Sequence, residues 1–439
     1  MTKHLVWILL ALALALSAAI AMMAPVAQGG AARANAQIAG VDDAWRAALP
    51  LDPQAATKAY MARIPAAAKA RSDAYFEGGY WLQLFDFALG LVVAAILLRT
   101  RAVARCRDRI VAKVRVKWLS DAFTAMCYLV MASVLALPMT VYEEYYREHA
   151  FGLSNQSAAG WFTESLINLG VTVVSAGLAF GILYIALRRA RRNWWLWGAL
   201  LGVVLVGLSM LLGPMYIEPM FNTYQPITDA KVKGPVLSMM RANGVPVDNI
   251  YQFDASRQSD RVSANVAGIF GSAAVRLNDN LLKRSSVAEI KAVLGHELGH
   301  YTMNHIYKGW IEIALLLVFG LAFLKCSLDL AIGRWGSRLG IADAADIAGL
   351  PLFIALFSAY MFVATPVRNS LTRTQEVEAD VFGLNAAAEP LAFAEVMLKL
   401  TEYRKSDPTG AEEFVFFDHP SPRKRIYGAM RWRAEHASQ

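Results

Sequence analysis

Seven mostly apolar runs of roughly 18 residues or more divide this chain, at residues 5–23, 81–98, 122–141, 166–187, 194–217, 310–332 and 347–367. Inside a bilayer no water bonds the peptide groups, so runs of this length are stable there only as helices that pair their own N–H and C=O groups. A soluble core is no alternative home for them. Of the 439 residues, 56% are hydrophobic and 18% charged, too apolar a balance for a single soluble domain. The first run also fits a cleavable secretory signal, because Lys3 precedes a short apolar core and Ala34-Asn35-Ala36 follows it. The alanine-rich stretch 25–79 reads as a helical loop outside the bilayer.

A net charge of +8 raises nucleic acid as a partner, but the basic residues fall in short clusters between apolar runs, where membrane topology places them. A lipid bilayer is therefore the expected partner and nucleic acid is not. Residues 99–117 carry eight basic residues against Asp108, and Arg188, Arg189, Arg191 and Arg192 precede the fifth run. By parity both loops lie on one side, cytoplasmic by the positive-inside rule and shared with Lys3. Cys106, Cys127 and Cys326 are far apart in sequence and suggest no disulfide framework or cysteine metal knuckle. Any metal site must use His, Glu and Asp.

The divisions expected are a first span or signal-like segment at 1–24, an N-terminal loop and membrane helices at 25–217, a polar segment at 218–308, two membrane helices at 309–368 and a second polar segment at 369–439. Within 218–308, Ile250-Tyr251-Gln252-Phe253, Val275-Arg276-Leu277 and the stretch 263–270 containing Gly268 read as short strands. Ser286 with Glu289 three residues on is a capping box, so a helix starts near Val287 and buries Ile290, Val293, Leu294 and Leu298.

That helix carries His296-Glu297-Leu298-Gly299-His300. Residues four apart share a helix face, so both imidazoles reach one ion while Glu297 turns toward its open side to activate water. Only seven histidines occur in the chain, which makes the pattern hard to reach by accident. A catalytic zinc usually takes three protein ligands. The extended zincin pattern fails, since Ile306 and Met303 stand where a third histidine and a glycine would be. His305 is offset from His300 and reads as solvated or structural. A carboxylate on another helix remains: Glu376 and Asp380 share a face, Glu376 to bind the ion and Asp380 to fix a histidine tautomer, while Glu378 points away. Near the C-terminus, His419 before Pro420 can donate to a tetrahedral oxyanion.

In this order the motifs resemble the type I CAAX prenyl protease family of integral-membrane zinc endopeptidases, whose helices form a barrel around a large chamber. The resemblance covers most of the chain beyond Tyr142. It rests on Glu148 with Phe151-Gly152-Leu153-Ser154-Asn155, Pro219-Met220-Phe221-Asn222, Ser263-Ala264-Asn265, the His296 to His300 motif, the stretch from Arg373 to Asp380, and His419-Pro420 with Arg425-Ile426. It implies one Zn2+ per chain on His296, His300 and Glu376, with Glu297 as general base, Asp380 behind the ligands and His419 as transition-state stabiliser. It further implies Arg373 and Arg425 as organisers of the substrate pocket and Asn265 on an edge strand that pairs with substrate backbone. The alanine-rich loop has no counterpart in those motifs.

The expected fold is thus mainly α: a polytopic membrane protein with about seven membrane helices forming a helical barrel or chamber, plus a zincin-like α/β catalytic part with a short sheet. The expected activity is membrane-embedded zinc endopeptidase hydrolysis of peptide or membrane-associated protein substrates, by a monomer in a bacterial inner membrane. Loop charges turn the site toward the periplasm, whereas the family's eukaryotic members open theirs to the cytosol. The competing reading is a non-proteolytic chamber or transporter with a structural zinc. It calls for more ionisable groups inside the spans than Asp86, Glu312, Lys325 and Asp329.

Overall fold

The computed structural model describes residues 41–245, 247–267 and 274–437. The first apolar run and Gly268 lie outside these residues. Among the described residues six helices are long and apolar enough to cross a membrane, answering to the other six runs. They are α2 (Ala66–Arg99), α4 (Lys117–Thr140), α5 (Ala158–Arg189), α6 (Trp194–Leu212), α9 (His305–Leu339) and α10 (Leu350–Ala387). α2 packs on α4, α4 on α5, α5 on α6, α6 on α9, α9 on α10 and α10 back on α2, so the six close a ring. Only 11–39% of each apolar stretch is buried within the protein, as staves with lipid on one face and an open interior on the other require.

Two staves lose regular α geometry for a local reason. Pro138 lacks an N–H and crowds the preceding turn, and just beyond it the helix loosens into π geometry over Val141–Arg147. The same happens at Pro214, within Gly213–Ile217. One end of the ring is closed by an apolar cluster including Leu97, Val103, Tyr184, Leu187, Trp194, Leu324, Leu328, Ile347 and Leu350. The basic residues gather at that end. There Arg107 pairs with Asp346 at 2.5 Å, and Lys117 at 3.2 Å and Arg188 at 2.5 Å flank the buried Asp121, tying α4 to α5. The short α3 (Ala102–Val111) lies beside α4, so that Cys106 and Cys127 line one cavity between them.

The 38 residues of α10 span about 57 Å at 1.5 Å per residue, nearly twice a hydrocarbon core of about 30 Å. Its C-terminal half therefore leaves the barrel and enters the polar part. That part contains α7 (Ala230–Ala242), α8 (Val287–Thr302) and a four-stranded sheet in the order β1-β2-β4-β3. Strands β1 (Tyr224–Pro226) and β2 (Ile250–Phe253) are antiparallel, β2 and β4 (Ala274–Asn278) parallel, β3 (Ala264–Ala267) and β4 antiparallel. Strand β3 is an edge. Ser286 and Glu289 close the expected capping box, and Ile290, Leu294 and Leu298 of α8 bury against Ile250, Val275 and Leu277 of the sheet.

The helical region after the first run docks on the polar part and joins a membrane helix before residue 79. Helix α1 (Pro53–Met61) buries Ala56 and Tyr60 against α11 (Pro390–Leu400) and α12 (Pro422–Glu435), and Arg46 bonds Glu395 at 2.8 and 2.9 Å. From Ala66 onward the chain is already helix α2.

Candidate metal centre and catalytic cleft

Helices α8 and α10 meet backbone to backbone. A Cβ on Gly383 would lie 2.6 Å from the His296 amide nitrogen and 2.8 Å from the Gly295 carbonyl carbon; one on Gly299 would lie 2.9 Å from the Ala379 Cα. Only residues without side-chain bulk permit this approach. It sets the i, i+4 pair of α8 against the i, i+4 pair of α10.

Nε2 of His296 lies 3.1 Å from Nε2 of His300, and Glu376 oxygens lie 3.4 Å from the first and 3.3 Å from the second. Tetrahedral donors at bonds of about 2.1 Å stand about 3.4 Å apart, so these three atoms fit one small cation. Glu376 Oε2 is buried with no hydrogen-bond partner, which suits an oxygen whose partner is an ion. Among the described residues these three form the one group able to hold a metal. Burial opposes charge on both partners, yet their mutual attraction wins. The adjoining imidazoles of His296 and His300 hold Glu376 far below the usual carboxylate range, and the Asp380 and Glu376 carboxylates raise His296 to about 9.

Behind His296, Asp380 Oδ1 accepts from Nδ1 at 2.8 Å, which leaves Nε2 as the lone-pair nitrogen facing Glu376. Arg425 reaches the same carboxylate twice, Nε to Oδ2 at 2.8 Å and Nη2 to Oδ1 at 2.5 Å. Despite burial, Arg425 and His296 keep the Asp380 carboxyl ionised. Glu297 and His419 line a cavity of about 260 Å3 with Val262, Ser263 and Ala264, from the start of the edge strand. Burial pushes Glu297 above its ordinary value, against the fields of His296 and His300. His419 lies with Nε2 3.4 Å from Glu376 Oε1 and Nδ1 2.8 Å from Asp418.

The remaining residues singled out in the sequence have local partners of their own. Arg373 bonds the Glu413 carbonyl at 2.7 Å, the Phe417 carbonyl and the Ser370 hydroxyl at 2.8 Å, so it holds the loop bearing His419 and does not line the cavity. Asn265 pairs with Arg276 in the register of β3 and β4, its Oδ1 buried and without a hydrogen bond. His305 takes the structural of the two roles that the sequence left open. It is buried, its Nδ1 2.8 Å from His300 Nδ1 and its Nε2 3.0 Å from Glu378, which Lys308 also contacts at 2.7 Å. Glu378 does point away from the ion site, toward this histidine. The break that allows it is at Asn304, in left-handed geometry with φ 60°, so the helical offset between His300 and His305 does not apply.

Two family models together span most of the chain: peptidase family M48 over residues 226–433, and the CAAX prenyl protease N-terminal region of five membrane helices over 53–223. The chain belongs to peptidase family M48. The membrane helices up to residue 223 match the N-terminal region of the CAAX prenyl proteases, and this match begins at Pro53, so α1, part of the loop that seemed to lack a counterpart, falls within it. An uncharacterized metalloprotease YhfN of Bacillus subtilis is 26% identical over 64% of this chain and 66% of its own length. CAAX prenyl protease 1 of Saccharomyces cerevisiae is 27% identical over 71% of this chain and 76% of its own. The crystal structure of S. mikatae Ste24p superposes with a TM-score of 0.69 at 18% identity, covering 97% of this chain and 98% of that one, which shows a shared fold. This M48 member is an integral, multi-pass membrane metallopeptidase, and a transporter reading is not favoured.

Proposed function

We propose that this chain is an endopeptidase with one zinc ion on His296, His300 and Glu376, cutting peptide or membrane-associated protein substrates that reach the cleft from the barrel or its rim. The observation that carries the reading is the convergence of those three donors beside a cavity that Glu297 shares with the start of an edge strand. A zinc ion held there supplies Lewis-acid polarisation of the scissile carbonyl and acidifies the attacking water. Glu297 takes the water's proton and hands it to the leaving amine. Imidazole fields keep it ionised enough for the first step, and burial keeps it basic enough for the second. Asp380, held by Arg425, keeps the His296 ring in the tautomer whose Nε2 faces the site. His419 donates from Nε2 to the developing oxyanion, and Arg373 holds its loop. Extended substrate adds to β3 near Asn265 through backbone hydrogen bonds.

The long staves carry the site and the basic cluster at opposite ends: His305 begins α9, while Arg338, whose carbonyl accepts from Arg101 at 2.9 Å, ends it. Positive-inside topology then turns the catalytic part away from the cytoplasm of a bacterial-type inner membrane, toward the periplasm, in a protein acting as a monomer. A C-terminal reporter active only in the cytoplasm that lights up would reverse this orientation.

The relatives named as CAAX prenyl proteases make prenylated C-terminal motifs one candidate substrate class, with misfolded membrane-associated proteins the other. Trapping with Glu297→Gln, followed by mass spectrometry of what stays bound, decides between them. Chelator-resistant cleavage of a casein-like substrate by the parent protein would sink the metallopeptidase reading.

A further inference from the structure

Basic side chains around the cleft are engaged, with one exception. Arg425 is bound to Asp380, Arg284 to Glu402 at 2.6 and 2.8 Å, Arg261 to Glu148 at 2.7 Å, and Arg373 to backbone carbonyls. Arg404 lines the same cavity as Glu297 and His419, yet among the described residues its guanidinium has no hydrogen bond or ion pair.

Its backbone, in contrast, is fixed. The Arg404 amide bonds the Leu400 carbonyl at the end of α11, and its own carbonyl accepts from Ser72 of α2 at 3.0 Å. Next to it, Arg261 stacks over the Tyr403 ring at 5.4 Å. Asp418 is the acid that feels its charge. Against burial, the hydrogen bond to His419, and then the fields of His419 and Arg404, hold that carboxyl below its usual range. Asp418 is already bonded to His419, so Arg404 keeps its donors. Arg404 shares the cavity wall with the apolar side chains of Phe393, Val396, Met397 and Leu400 as well as with Glu297 and His419. A planar five-donor cation beside apolar side chains in one cavity suits a ligand with an apolar side chain and a carboxylate.

We propose that Arg404 is a specificity residue that binds a substrate carboxylate close to the scissile bond, so that this peptidase prefers an acid there over a neutral or basic group. The inference deepens the peptidase reading and rests on it. The acid is either a side chain or the free C-terminus of the peptide, and the two are separable by experiment.

The test uses the full chain, solubilised and zinc-loaded, with quenched peptides of one apolar sequence. They carry Glu, Gln or Lys at successive positions and end in a free acid or an amide. At one position, or at the terminus, the acid raises kcat/KM about 10- to 100-fold over its neutral counterpart, mainly through KM. Arg404→Lys keeps part of this ratio, Arg404→Ala abolishes it and Arg404→Glu shifts it toward the Lys peptide. Dependence on a side chain names an acidic residue; dependence on the free terminus names a C-terminal carboxylate. Zinc content equal to the parent's shows that each variant is folded. An acid-to-neutral ratio unchanged in Arg404→Glu, or absent from the parent, overturns the proposal. Chelator-insensitive cleavage by the parent brings down the peptidase reading and the proposal with it.

Discussion

Nδ1 of His305 lies 2.8 Å from Nδ1 of His300, and the other nitrogen of His305 is held by Glu378 at 3.0 Å. The chain Lys308, Glu378, His305, His300 orients the second imidazole of the metal centre as Asp380 orients the first. Outer partners of this kind are worth about 10- to 100-fold in metal affinity. His305→Ala should therefore weaken zinc binding by about that factor, with Glu378→Gln smaller in effect, measured by competition with a chromogenic chelator. Unaltered affinity in His305→Ala would show that the imidazole contact is idle.

Glu297 separates binding from chemistry. It lines the cavity but is not one of the three converging donors, so Glu297→Gln should retain one zinc per chain and lose cleavage by about 10^2-fold or more. Metal analysis beside a peptide assay checks this. Retained activity would remove Glu297 from its role, and lost zinc would show that it is a ligand.

Where chemistry is written in local spacing, the sequence is legible. Ser286 and Glu289 announce the start of α8, the four-residue spacings of His296/His300 and Glu376/Asp380 announce shared faces, and six apolar runs announce six staves. What stays hidden depends on departures from regular geometry or on distant packing. One left-handed residue, Asn304, brings His305 back onto His300, and no helical offset anticipates that. Strand β1 is three residues long, too short for periodicity to reveal. Docking of α1 onto α11 and α12 and the shared cavity of Cys106 and Cys127 join residues remote in sequence or on different elements. The Gly295/Gly299 and Ala379/Gly383 spacings did carry a readable signal, small residues four apart on two helices, which marks close helix crossing.

Zinc and protons should compete at His296. Against burial and the nearby Arg425 charge, its carboxylate partners Asp380 and Glu376 raise this imidazole to about 9, so it is charged at neutral pH and must lose its proton before its Nε2 can bind an ion. Affinity is thus highest above that value and falls as pH drops, by about tenfold per unit between roughly pH 8 and 6 from this group. Calorimetry at pH 7 in buffers of different ionisation enthalpy should find close to one proton released from His296 per zinc bound. Zinc uptake without proton release would show that the histidine is already neutral.

The helix crossing gives the last prediction. Ala at position 383 would set a methyl 2.6 Å from the His296 amide nitrogen, 2.8 Å from the Gly295 carbonyl carbon and 2.9 Å from the His296 Cα. All three are backbone atoms that cannot rotate aside, so α10 must move away from α8. Overpacking of this kind costs about 1–3 kcal/mol, and the displacement opens the 3.4 Å and 3.3 Å separations between Glu376 and the two histidines. Gly383→Ala should therefore lower both the thermal midpoint and zinc affinity. Ala at Gly410, where an added Cβ meets nothing within 4 Å, should leave zinc affinity in place. If Gly383→Ala binds zinc like the parent, the two helices are not the rigid frame that sets the metal geometry.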